Sequence, residues 1–113
     1  MATETGIDIP EEILARIGQV LRKCLPGRPV YVFGSRVTGL ARPDSDLDLA
    51  IGGEPPLSIS ERAILGDAME EIDLGLKVDI IDLHDARGIF RRRIEAEWIP
   101  LEQARGSRSK AIA

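Results

Sequence analysis

Three short apolar runs, 30–33, 47–51 and 77–83, constrain the fold of this chain more than any other feature of its sequence. Each is shorter than a normal helix and is dominated by the β-branched and aliphatic residues that suit a pleated, buried surface. Glycine punctuates them: Gly34 stops the first, Gly52-Gly53 closes the second, and Gly75 releases the chain before the third. Between them the period changes to that of a helix. Ile13, Leu14, Ile17, Val20, Leu21 and Leu25 recur at three- and four-residue spacing and predict a helix over 10–24 with one buried stripe. Asp8, Pro10 and Glu11 read as its N-cap, first-turn proline and capping-box acid, and Pro26-Gly27 ends it. Ser58-Ile59-Ser60-Glu61 has the capping-box spacing again and opens a helix to about residue 73, with Ala63, Ile64, Ala68, Met69 and Ile72 on its periodic positions. Residues 35–40 leave room for one helical turn before the Pro43-Asp44 break. A last helix over 85–96, N-capped by Asp85, should carry Ile89, Phe90 and Ile94 inward and Arg87, Arg91, Arg92 and Arg93 largely outward. The order αβαβαβα predicts an α/β (α+β) domain, a small mixed sheet flanked by helices.

With 113 residues, one domain is expected over 1–102, followed by a loose Arg-, Ser- and Ala-rich tail over 103–113. Nineteen acids against 15 bases give a net charge of −4, which argues against a general binder of nucleic acid, so no direct nucleic-acid contact is expected. The lone Cys24 cannot form an internal disulfide and reads as a small apolar filler at a helix end. No targeting signal is recognisable, and no apolar run approaches the roughly 20 residues of a membrane span. A cytoplasmic domain is expected, one that must build any site from few elements.

The stretch from Val32 to Leu49 carries the chemistry. Gly34 and Ser35 stand where a buried strand turns into a helix, so backbone N–H groups and a hydroxyl converge on a spot suited to phosphate oxygens. Such a turn is also a common strand-to-helix connection. Asp46 and Asp48, one residue apart on a strand, leave the same face with Cα atoms about 6.6 Å apart, while Leu47 and Leu49 face the core. Two carboxylates so close repel unless a cation lies between them, and Mg²⁺ is the natural candidate because it takes hard oxygen ligands and leaves positions for phosphate. A solvated acidic strand end is the competing reading. Asp79, in the apolar run Val78-Asp79-Ile80-Ile81, could be set beside that pair by a neighbouring strand. Three carboxylates around one or two Mg²⁺ ions would suit phosphoryl or nucleotidyl transfer. Asp82 points to the opposite face from Asp79 and reads as a strand-end cap.

Gly34-Ser35, ten intervening residues, Asp46-x-Asp48 and then Asp79 on a later strand together resemble the minimal nucleotidyltransferases (MNT) of the polymerase-β-like superfamily, over roughly residues 13–101. The resemblance implies the polymerase-β-like fold, with Asp46 and Asp48 holding two Mg²⁺ ions and Asp79 completing the second site and helping to activate the attacking hydroxyl. It also implies that Gly34 and Ser35 bind the triphosphate of ATP, with Arg36 as a further phosphate contact or else a solvated side chain. Larger relatives hold their acceptor on a second domain. Here it is expected from a partner or a second copy of this chain, and the resemblance implies a HEPN ribonuclease toxin whose tyrosine receives AMP, making this chain an antitoxin. Neutralisation by occlusion, and an aminoglycoside acceptor, are the alternatives. His84 reads as a loop or capping residue, and Trp98 with Ile99 as either core closure or an interface anchor. Nucleotide preference leaves no spaced motif.

Overall fold

Four strands line up in the order β3-β2-β1-β4. The computed structural model describes residues 9–72 and 75–102, in which α1 (Glu11–Cys24) is followed by β1 (Val30–Phe33), α2 (Ser35–Thr38), β2 (Leu47–Ile51), α3 (Ile59–Glu71), β3 (Val78–Asp82), α4 (Gly88–Glu97) and β4 (Ile99–Pro100). β2 runs parallel to β3, which the intervening α3 permits, while β1 is antiparallel to both β2 and β4. The expected mixed sheet and helix order are therefore found, with one strand more than the sequence suggested.

Alternation along each strand sorts the core into two layers. Val32, Leu47, Leu49 and Ile51 pack against Leu14, Ile17 and Leu21 of α1 and Leu65 and Met69 of α3, with Cys24 partly buried at the margin. Phe33 and Ala50 turn the other way, toward Ile94 of α4, Leu83 and Ala86, with Tyr31, Ile81 and Trp98 packed around them. Trp98 closes the core by stacking on Tyr31, with ring centroids 3.9 Å apart, and Ile99 pairs with Val32 in β4.

Several local expectations are corrected. α1 starts after Pro10 with no side-chain cap, and Asp8 lies outside the described residues, as does the 103–113 tail. Ser58 caps α3 with the expected reciprocal box to Glu61 and Met69 is buried as expected, but Leu65 is the other buried position and Ile64 is 57% exposed. Three consecutive apolar residues, Ala63-Ile64-Leu65, leave the inner face of that helix undefined by sequence alone. Asp85 does not cap α4: it belongs to a 3₁₀ turn, Leu83–Asp85, and its carboxylate pairs with Arg62 at 3.1 Å. α4 begins after Arg87, which leaves Ile89 at 81% exposure and Phe90 about half exposed, while Ile94 is buried as expected.

Asp82 caps that 3₁₀ turn and ties it to the start of α3. Its buried carboxylate accepts from the N–H of Leu57 (2.8 Å), the N–H of His84 (2.9 Å) and the His84 ring (2.8 Å). Burial pushes the carboxyl up, yet these donors together hold it below the ordinary value. His84 is raised above its ordinary value by Asp82 and then by Glu54. Asp82→Asn keeps the shape and removes the charge, and is expected to cost about 1–2 kcal/mol in chemical denaturation because buried donors lose their best acceptor. The depressed carboxyl stabilises the fold above the ordinary carboxylate pKa and loses that effect as pH falls through its lower folded value. The raised histidine stabilises below its ordinary pKa and loses the effect as pH rises through its higher folded value. A His84→Ala protein should therefore differ more from the parent at weakly acidic than at alkaline pH.

Candidate active site

The sheet face covered by α4 is the face that collects the carboxylates. Leu47 and Leu49 point to the α1 and α3 layer, so Asp48 between them points to the α4 side. Parallel pairing sets Asp48 directly opposite Asp79, and antiparallel pairing sets it opposite Phe33, the last residue before the Gly34-Ser35 turn. Two neighbouring strands and one turn thus meet at a single point.

Gly34 fits there because it has no side chain. Its φ of 89° and ψ of −162° belong to a region that only glycine adopts readily, and a Cβ at this position would collide with Oδ2 of Asp48. Its N–H donates to Oε2 of Glu97 at 2.6 Å. Gly34, Ser35, Asp48 and Asp79 line one cavity of about 370 Å³ with Phe33, Phe90, Arg93 and Glu97. Asp46 lies just before β2, half-buried, outside that lining but close enough for its charge to act on Asp48. Asp48 is pushed up to about 6, first by burial and then by the charges of Asp79, Asp46 and Glu97. The four acids form one repelling group.

Arg36 stands differently from either sequence expectation. It is buried, and its guanidinium donates to the carbonyls of Ser45 (2.8 Å) and Pro43 (3.2 Å) in the loop that leads to Asp46. The hydroxyl of Ser45 accepts the Arg42 N–H at 2.8 Å, so the same loop is pinned from two sides. Arg36 therefore acts on the site by fixing the approach to Asp46 and Asp48.

Glu97 lies outside the motif, and Arg93, expected on the outward face of the last helix as a solvated arginine or one that attracts an acidic partner or ATP phosphates, lines the cavity. Phe90, Arg93, Ile94 and Glu97 share one helical stripe, at i, i+3, i+4 and i+7, so a charged pair was riding on the face that Ile94 buries. Among the described residues, no three His, Cys, Asp or Glu side chains close on one point as a metal cluster. What the arrangement offers is an electronegative cavity with a glycine turn at its edge, suited to oxygen-ligated cations and the phosphates they carry. No helix of the described residues is long and apolar enough to cross a membrane.

Comparison with known proteins identifies the family and the fold. Residues 17–103 match the family model described as Polymerase beta, Nucleotidyltransferase. The chain is 35% identical, over its whole length and 99% of the relative's, to a Haemophilus influenzae protein named as probable protein adenylyltransferase MntA. A crystal structure of a toxin-antitoxin with AMP-PNP superposes with a TM-score of 0.66 at 24% identity, covering 88% of this chain and 83% of that one. Another, of a tri-AMPylated Shewanella oneidensis HEPN toxin in complex with MNT antitoxin, superposes with a TM-score of 0.60 at 21% identity, covering 91% and 84%. The turn and the paired strands that carry the carboxylates lie within the matched residues, and the chain belongs to the polymerase beta nucleotidyltransferase family.

Proposed function

We propose that this chain is a Mg²⁺-dependent antitoxin that transfers AMP from ATP to a tyrosine of a HEPN-type toxin in the cytoplasm. The observation that carries the reading is the register that sets Asp48 against Asp79 beside the Gly34-Ser35 turn. The name of the Haemophilus relative and the AMPylated toxin in the Shewanella complex support the acceptor and the group transferred. The AMP-PNP complex supports ATP as donor.

In this reading Asp46, Asp48 and Asp79 would hold the metal. The donor chemistry suits a hard dication, since all three are carboxylates, and a bound cation would relieve the repulsion that, after burial, raises Asp48. When bound, Mg²⁺ neutralises triphosphate charge and favours attack at phosphorus. Ser35 would receive phosphate oxygens at the turn, Gly34 leaves room for their close approach, and Arg36 keeps the loop before Asp46 in place. The tyrosine oxygen forms a bond to the α-phosphorus, the bond from that phosphorus to the β-bridging oxygen breaks, and pyrophosphate leaves with the electron pair. Asp79 takes the phenolic proton and releases it to water.

Purified chain, its co-expressed HEPN partner, Mg²⁺ and ATP labelled at the α-phosphate test this. Label should appear on a partner tyrosine, and ATP labelled at the γ-phosphate should leave the partner unlabelled. An unlabelled partner that is still inhibited would replace catalysis with occlusion.

A further inference from the structure

α4 and the residue that caps it carry four arginines, Arg87, Arg91, Arg92 and Arg93, and the structure separates them. Arg91 is engaged: its Nε donates to Glu95 at 2.8 Å, four residues on, and its Nη1 to the carbonyl of Leu83 at 2.9 Å. Arg87, Arg92 and Arg93 are all exposed, and Arg87 and Arg92 do not line the cavity. Arg93 does line it, with Gly34, Ser35, Asp48 and Asp79. The same i,i+4 spacing offers Arg93 a partner in Glu97, but Glu97 accepts the Gly34 N–H instead. Among the described residues Arg93 has no hydrogen bond or ion pair, so it borders an acidic cavity with its guanidinium uncommitted.

We propose that Arg93 binds the β- and γ-phosphates of the nucleoside triphosphate and the pyrophosphate that leaves. The inference rests on the nucleotidyl-transfer reading and adds to it the cation that Arg36 does not supply, because Arg36 is turned onto loop carbonyls. Asp48, Asp79 and Glu97 make the cavity anionic, and a polyphosphate adds further negative charge. A guanidinium on α4 meets that charge with a planar fork that matches phosphate oxygens two at a time.

Calorimetric titration of inorganic pyrophosphate, and of a non-hydrolysable ATP analogue, each with Mg²⁺, into the full chain tests this. Arg93→Ala should weaken both by about tenfold or more and leave AMP binding little changed. Arg93→Lys should recover part of the loss, and Arg92→Ala should bind like the parent. In the transfer assay Arg93→Ala should raise KM for ATP by a similar factor and leave the melting temperature unchanged. Parental pyrophosphate affinity in Arg93→Ala, with transfer by the parent intact, overturns the inference and leaves the transfer reading standing. Arg93-dependent pyrophosphate binding in a parent that labels no partner supports the inference and overturns the transfer reading. If the parent binds neither polyphosphate, both fall.

Discussion

Asp48→Asn is expected to lower AMP transfer by about 10³-fold while making the metal-free protein more stable. In the proposed site Asp48 is a metal ligand, and its loss would remove several kcal/mol of transition-state stabilisation, which at 1.36 kcal/mol per decade gives about that factor. The stability gain follows from the same charge. A carboxyl raised from 3.8 to about 6 is one whose ionised form the folded protein disfavours. The full shift corresponds to about 3 kcal/mol, and partial solvent screening reduces it to about 1–2 kcal/mol at alkaline pH. The sign is definite: a raised carboxyl costs stability above its folded pKa, and the cost fades as pH falls through that value toward the unfolded one. Melts of parent and Asp48→Asn without Mg²⁺ or ATP should therefore differ at about pH 8 and converge near pH 4. A variant that loses both activity and stability would indicate a structural carboxylate.

Gly34→Ala should damage the site and the fold together. The backbone conformation alone costs about 1–3 kcal/mol for a residue with a Cβ, and here the added carbon also runs into Oδ2 of Asp48. Either Asp48 moves or the turn does, and displacements of about 1 Å at a reacting centre cost on the order of 10²-fold in rate. Gly39→Ala separates the two effects. Gly39 has a similar φ of 87°, at the end of α2, but a Cβ there meets no atom within 4 Å. It should lose stability of the same order, read by denaturation, and keep its transfer rate.

The reach of the sequence is clearest where two independent signals agree. Leu14, Ile17 and Leu21 repeat at helical spacing between a proline and a Pro-Gly stop, and all three are buried in α1. Alternation around Leu47 and Leu49 was enough to turn Asp48 away from the first core layer, and the same parity separates Asp79 from Asp82. Asp48 and Asp79 could be named because their charge is costly in an apolar strand, but their register depends on pairing between segments about thirty residues apart, which no local pattern encodes. β4 is two residues long and contains Pro100, so neither period nor propensity announces it; the stacking of Trp98 on Tyr31 and the pairing with β1 hold it in place. The setting of Arg36 is not legible, because an arginine beside a phosphate turn looks the same in sequence whether it points at the ligand or at the carbonyls of Pro43 and Ser45. Glu97 lies 63 residues from Gly34, and only the docking of α4 on the sheet brings the two together.

That one centre, assembled from Asp46, Asp48, Asp79 and the Gly34-Ser35 turn, performs AMP transfer is tested most directly by the intact mass of the HEPN partner after incubation with ATP and Mg²⁺. The parent chain should add one or more adenylyl groups to the partner, and Asp48→Asn, shown to be folded by its melt, should add none. An unmodified partner with the parent, or equal modification by parent and variant, would contradict the account.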